Sequence, residues 1–392
     1  MRIAQIAPLY ETVPPKLYGG TERVVANLCD ALVDLGHEVV LFAAAGARTR
    51  ARLSAVREQA LRLDPNPLRS DSAAHLNMLH EVRKAAAGFD VLHFHTDLLH
   101  FAMFEELAPR TVTTLHGRLD IADVQETLAR WPGFGLVSIS ETQRKPVPAA
   151  NWLATVQHGI SPELYRPPSS PSGSYLAFLG RIAPEKRVEL AVRLALQAGI
   201  PLKIAAKVDT ADAAYFEGTV KPLLRHPLIE FIGEIGDADK SEFLGHALAL
   251  LFPIGWPEPF GLVMIEAMAC GTPVLAWNCG SVPEIIDEGI SGFILSSESQ
   301  ALHAIRRAAE LDRKQIRSVF EHRFIARIMA QAYVQVYESH GQNAERPGRG
   351  SRQQDPAEAE TKLCAGLGAG GDSAGVVVTG LRRCGSVPGG CQ

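Results

Sequence analysis

Residues 166–206 read RPPSSPSGSYLAFLGRIAPEKRVELAVRLALQAGIPLKIAA. The opening Arg166-Pro167-Pro168-Ser169-Ser170-Pro171-Ser172-Gly173 has no apolar period and reads as a Pro/Ser linker. Tyr175 to Leu179 is a short apolar run, the pattern of a buried strand. Pro184 to Ala198 has helical spacing, with Pro184 expected in the first turn. Leu202 to Ala206 is apolar again. A strand, helix and strand that begin afresh after a linker announce a second doubly wound unit.

The same alternation precedes the linker. Arg2 to Ala7 reads as a strand, and Pro8 ends its apolar run too early for an export signal. Thr21 to Leu35 puts Val24, Val25, Leu28, Leu32 and Leu35 on one helical face, and Gly36 stops it. Glu38 to Ala43 is a strand and Ser72 to Ala87 a helix. Asp90 to Phe94, Thr111 to Leu115, Gly135 to Ser140 and Trp152 to Gln157 are further strands. After the linker, Ile229 to Ile232, Leu248 to Phe252, Pro273 to Ala276 and Gly292 to Leu295 read as strands. Phe260 to Cys270, Glu298 to Glu310 and Ser318 to Ser339 read as helices. The fold class is therefore α/β: two Rossmann-like parallel-sheet domains facing a cleft. From Gly341 the chain turns rich in Gly, Arg, Ser and Pro, and disorder is expected there.

Composition agrees. The 392 residues suit two domains, with 46% hydrophobic and 21% charged residues. A formal net charge of -4 argues against a nucleic-acid partner, whose binders are usually basic. No run of about 18 apolar residues is present to span a membrane. Cys29, Cys270, Cys279, Cys364, Cys384 and Cys391 include no CxxC pair, so reduced thiols in a cytoplasmic protein are expected.

Four stretches carry chemistry. In Pro257-Glu258-Pro259-Phe260-Gly261-Leu262-Val263-Met264-Ile265-Glu266, a loop delivers Glu258 and Gly261 opens a helix holding Glu266. Free amides at a helix start attract an anion. Glu266 is suited to a ribose diol, as acidic residues are in other nucleotide-binding α/β folds. Glu258 is suited to sugar hydroxyls. In Gly180-Arg181-Ile182-Ala183-Pro184-Glu185-Lys186, Gly180 allows close approach to the backbone, while Arg181 and Lys186 offer a fork and a point charge for a diphosphate. Gly19-Gly20 before a helix can press the backbone against a phosphate, but taken alone the pair reads as a plain tight turn. His116-Gly117 ends a strand and faces the cleft. His93, His95 and Asp97 have spacing that permits a metal, but no matching third site accompanies them, so a pocket or structural role is expected. His158-Gly159 reads as a hinge turn.

Taken together these motifs resemble retaining glycosyltransferases of family 4, with the GT-B fold. The resemblance covers about residues 1 to 340. It rests on Gly19-Gly20, His116-Gly117, Ser138-Ile139-Ser140, Gly180-Arg181 with Lys186, and Glu258 and Glu266 spaced E-x7-E. The stretch Pro14-Pro15-Lys16-Leu17-Tyr18-Gly19-Gly20-Thr21-Glu22-Arg23 is similar to a branch that includes the avilamycin-pathway transferase and pterin glucosyltransferases. The resemblance implies an acceptor-side domain over 1–165, a linker over 166–173, a donor-binding domain over 174–322 and a crossover helix over 323–340. A tail with no counterpart occupies 341–392.

It also implies roles. Arg181 and Lys186 hold the donor diphosphate, Glu266 the ribose and Glu258 the sugar hydroxyls; His116 contacts the sugar near the reacting carbon. Gly19, Gly20, Gly180, Phe260, Gly261 and Leu262 complete the donor site. No cofactor or metal is expected, because Arg and Lys replace a cation. The expected partners are a nucleotide-sugar donor (uridine diphosphate glucose first, guanosine diphosphate mannose second) and a small-molecule or glycan acceptor. Peripheral membrane contact is compatible with this reading; oligomeric state and acceptor identity are not written in the motifs. Competing readings are a sugar-nucleotide epimerase of the same fold and an inactive nucleotide-sugar scaffold.

Overall fold

In the computed structural model, which describes residues 1–66 and 68–344, the chain builds two parallel sheets. The first holds β1 (Arg2–Ile6), β2 (Glu38–Ala44), β3 (Arg52–Arg57), β4 (Val91–Phe94), β5 (Thr111–Thr114), β6 (Gly135–Ser138) and β7 (Trp152–Thr155). Their order is β3-β2-β1-β4-β5-β6-β7. The second holds β8 (Tyr175–Ile182), β9 (Leu202–Val208), β10 (Ile229–Gly233), β11 (Ala247–Phe252), β12 (Val274–Trp277) and β13 (Gly292–Leu295), in the order β10-β9-β8-β11-β12-β13. Both belong to one compact unit, Met1–Arg346.

Strands buried on both faces explain the near-continuous apolar runs. Along β2, Val39, Leu41 and Ala43 face one core, and Val40, Phe42 and Ala44 the other. Along β8, Tyr175, Ala177 and Leu179 alternate with Leu176 and Phe178 in the same way. The strand order reverses between β1 and β4 in one sheet and between β8 and β11 in the other. Such reversals open a crevice at the carboxyl ends of the strands, where open α/β sheets bind ligands.

Three expectations need correction. Pro184 does not open the long helix. Pro184–Lys186 is a separate 3₁₀ turn, Arg187 adopts the left-handed φ of 53°, and the helix is Val188–Ala198. The amide of Gly255 bonds the Glu185 carbonyl at 2.9 Å, so the turn is held by the loop after β11. The stretch 318–339 is not one helix either. It breaks between Arg313–Arg323 and Ala326–Ala344, because Ile325 pairs with Ile160 instead. Ile160 donates to the Phe324 carbonyl and Ala326 to the Ile160 carbonyl. The two strands of chain that cross between the domains thus run side by side, and Gly159 packs so closely on Ile325 that no Cβ fits. Finally, the last helix carries through Ala344, past the expected start of the tail. The remainder of the tail, with Cys364, Cys384 and Cys391, lies outside the described residues.

Edge strand β3 and the helices Ala122–Arg130 and Asp237–Gly245 were not expected from sequence. Helix Ala326–Ala344 packs on helix Gly20–Asp34 of the first domain, burying Tyr333 and Tyr337. Among the described residues no helix is long and apolar enough to cross a membrane.

Candidate active site

A cavity of about 800 Å³ lies between the two sheets. Gly19, Gly20, His116, Gly180, Arg181, Lys186, Glu258, Phe260, Gly261, Leu262 and Glu266 all line it. The fold brings every expected site residue to this one space. The reason is topological: Lys186 follows β8 and Glu258 follows β11, the two strands that flank the reversal. Gly20 follows β1 and His116 follows β5, on the opposite wall. Gly20 meets the second domain directly, since a Cβ there would stand 3.5 Å from Leu262 Cδ1. Nothing lies within 4 Å above Gly180, which leaves its backbone open to a ligand.

Gly261, at φ 81°, is the cap before helix Leu262–Ala269. That backbone region excludes most side chains, and Phe252 and Met264 fill the space a Cβ would need. Lys186 donates to Oε2 of Glu258, and the indole Nε1 of Trp256 donates to the same oxygen at 3.0 Å. Arg181 is held by Glu185 at 2.7 Å and lies 3.6 Å from Asp209 and 3.3 Å from Asp212. Its guanidinium is therefore compensated by the protein's own carboxylates, which the sequence did not suggest.

Glu266 is buried. Its Oε1 accepts from Lys240 at 2.8 Å and from the Tyr165 hydroxyl at 3.3 Å, and Arg23 approaches it at 3.6 Å. Its Oε2 is buried without a hydrogen-bond partner. A buried carboxylate oxygen without a partner, on a residue that lines a cavity, has the capacity to accept a further hydrogen bond. Arg23, Lys240, Tyr165 and Asp237 complete this network. None was given a role from sequence; only Arg23 lay within a recognised stretch, at its end.

His116 belongs to a histidine cluster. Its Nε2 and Nδ1 of His95 are 2.9 Å apart, and His95 Nε2 bonds Gln5 at 2.8 Å. Both ring nitrogens of His93 are engaged as well, by Tyr337 and Thr114 at 2.7 Å. The histidines whose spacing allowed a metal are therefore occupied as hydrogen-bonding groups. Burial pushes the His116 imidazole down to about 3, and burial together with the neighbouring rings holds His93, His95 and His158 well below the usual range. His158, expected as a hinge, lines the cavity and stacks on His116 with ring centroids 5.2 Å apart. Gln143, also unforeseen, supports the His116 loop by donating to the Leu115 and Gly117 carbonyls at 2.8 Å.

Sequence profiles of two families match the chain: Glycosyltransferase Family 4 over residues 18–157 and Glycosyl transferases group 1 over residues 166–321. The chain is 25% identical to the phosphatidyl-myo-inositol mannosyltransferase of Mycolicibacterium smegmatis, over 86% of its own length and 94% of that protein. It is 29% identical to the D-inositol 3-phosphate glycosyltransferase of Mycobacterium marinum over 37% of its own length, and spans 34% of that relative. Among solved structures it is similar to AviGT4, a glycosyltransferase involved in avilamycin A biosynthesis. That match has a TM-score of 0.65 and 23% identity, and covers 87% of this chain and 98% of the other.

Proposed function

Because this chain belongs to the glycosyltransferases of the GT-B fold, with a family 4 domain followed by a group 1 domain, we propose that it moves a hexose from a nucleoside diphosphate sugar to an acceptor hydroxyl. In this reading the enzyme acts in the cytoplasm, with retention at the anomeric carbon and without a metal. The observation that carries it is the convergence of Lys186, Glu258, Glu266, Gly20 and His116 on one cavity from four separate segments.

Each residue has a task in this reading. Glu266 Oε2 accepts from a ribose hydroxyl, which relieves its missing hydrogen bond. Lys186 has three donors and uses one on Glu258, leaving others for diphosphate oxygens. Both described donors to Glu258 fall on Oε2, so Oε1 is the oxygen left to accept from sugar hydroxyls. His116 stays neutral and abuts the transferred sugar. The bond from anomeric carbon to diphosphate oxygen breaks while the acceptor oxygen bonds the same face of that carbon. The acceptor's proton passes to the departing phosphate oxygen. Fixed cations and helix amides stabilise the charge that builds there.

The test is a panel of nucleoside diphosphate sugars led by uridine diphosphate glucose and guanosine diphosphate mannose, run with EDTA present, with and without an acceptor library. Release of nucleoside diphosphate coupled to a new glycoside is the expected result. Conversion of the nucleotide sugar with no acceptor present would favour an epimerase. Loss of activity in EDTA, restored by a divalent ion, would overturn metal independence.

A further inference from the structure

Trp256 stands behind the site. It is not among the residues lining the cavity, yet its indole Nε1 donates to Glu258 Oε2 at 3.0 Å. The Glu258 amide bonds the Trp256 carbonyl at 2.7 Å, and Pro257 and Pro259 restrict the backbone on either side of Glu258. Two cations lie over the indole ring. Lys186 Nζ is 5.1 Å from its centroid, and Arg118, from the loop that carries His116, is 5.3 Å away. One indole thus touches the sugar-side carboxylate, the diphosphate-side lysine and the opposite domain.

We propose that Trp256 is the positioning residue that aims Glu258 at the transferred sugar, and that Arg118 supports that aim by holding the indole from the first domain. This rests on Glu258 being the sugar-binding carboxylate. The terminal torsion of a glutamate is broad, so an unsupported carboxylate sweeps a wide arc. Two donors on the same oxygen fix that torsion and leave the other oxygen at a defined place. Misplacing a reacting or binding group by about 1 Å costs up to ~100-fold in rate. A cation over an aromatic face is attracted by its quadrupole, so Arg118, itself held by Asp120 at 2.6 Å, secures the indole from the side of the first domain. Packing alone does not account for the arrangement, since a phenyl ring would pack there and accept both cations but has no N–H to give.

Trp256→Phe separates the two roles, because it keeps the aromatic face and removes the donor. The experiment follows the indole N–H resonances of the full-length protein. Trp256 is assigned by its disappearance in Trp256→Phe, and the same resonance is then compared in Glu258→Gln. The expected result is a shifted Trp256 signal in Glu258→Gln; an indifferent signal would overturn the hydrogen bond. In kinetics with uridine diphosphate glucose and guanosine diphosphate mannose, Trp256→Phe is expected to lower kcat about 10-fold or more. Affinity for the free nucleoside diphosphate, by calorimetry, is expected to stay within about 2-fold. Arg118→Leu is expected to lower kcat in the same direction. Unchanged kcat in Trp256→Phe alongside an impaired Glu258→Gln would sink the positioning role alone. Unchanged kcat in Glu258→Gln would sink the sugar-binding reading on which it rests.

Discussion

Arg23 and Glu266 face each other across the cleft, with Nε of the one 3.6 Å from Oε1 of the other. Arg23 sits on helix Gly20–Asp34, and its guanidinium also bonds Asp237 and the Leu17 carbonyl. It therefore ties the glycine loop to the carboxylate assigned to the ribose. Arg23 and Glu266 are only 3% and 2% exposed at the side chain. Removing Arg23 leaves Asp237 and Glu266 with Lys240 between them, and breaking a buried ion network of this kind costs up to about 3–5 kcal/mol. Arg23→Met should lower the thermal midpoint strongly and weaken nucleoside diphosphate binding with it. A midpoint within a degree of the wild type would show that the pair carries no such load.

Lys186 should matter for the nucleoside diphosphate even without its sugar. A hydrogen bond to a charged group contributes about 1.5–3 kcal/mol, so Lys186→Ala should weaken the diphosphate about tenfold or more. Calorimetry on wild type and variant decides this. Equal affinities would move the diphosphate away from Lys186.

Gly280 supports Glu258 from behind at a φ of 60°, and a Cβ there would collide with the backbone of Pro257 and Glu258. Gly280→Ala should displace the Glu258 loop and depress turnover well beyond its effect on nucleoside diphosphate binding. Wild-type turnover would show that the loop tolerates the shift.

Five buried histidines set the acid limit of the fold. Burial holds His93, His95, His100 and His158 well below their usual 6.5 and puts His116 at about 3. Between these values and 6.5 the unfolded chain binds more protons than the native one, so stability rises with pH across that window. The full contribution is present above about pH 6.5. Each such histidine withdraws about 1.4 kcal/mol per pH unit as pH falls below it. Unfolding midpoints at pH 7.5 and 5.5 should differ markedly, with the lower value in acid; coincident midpoints would contradict the buried neutral cluster.

The sequence alone determined the two-sheet architecture, because apolar runs at strand length, helical periods and a linker are local patterns that burial enforces. It also marked the residues around the cavity, since Gly-opened helices and a glutamate between prolines have few other uses. What it left out depends on neighbours distant in the chain. Arg187 turns left-handed because Gly255 holds the turn before it, and the last helix breaks because Ile325 pairs with Ile160. Arg23, Lys240 and Trp256 gain their roles only from what they meet, at separations of up to 243 residues in the case of Arg23 and Glu266. Ion pairs and indole donors have no period in a sequence; packing of the two sheets against one cleft decides them.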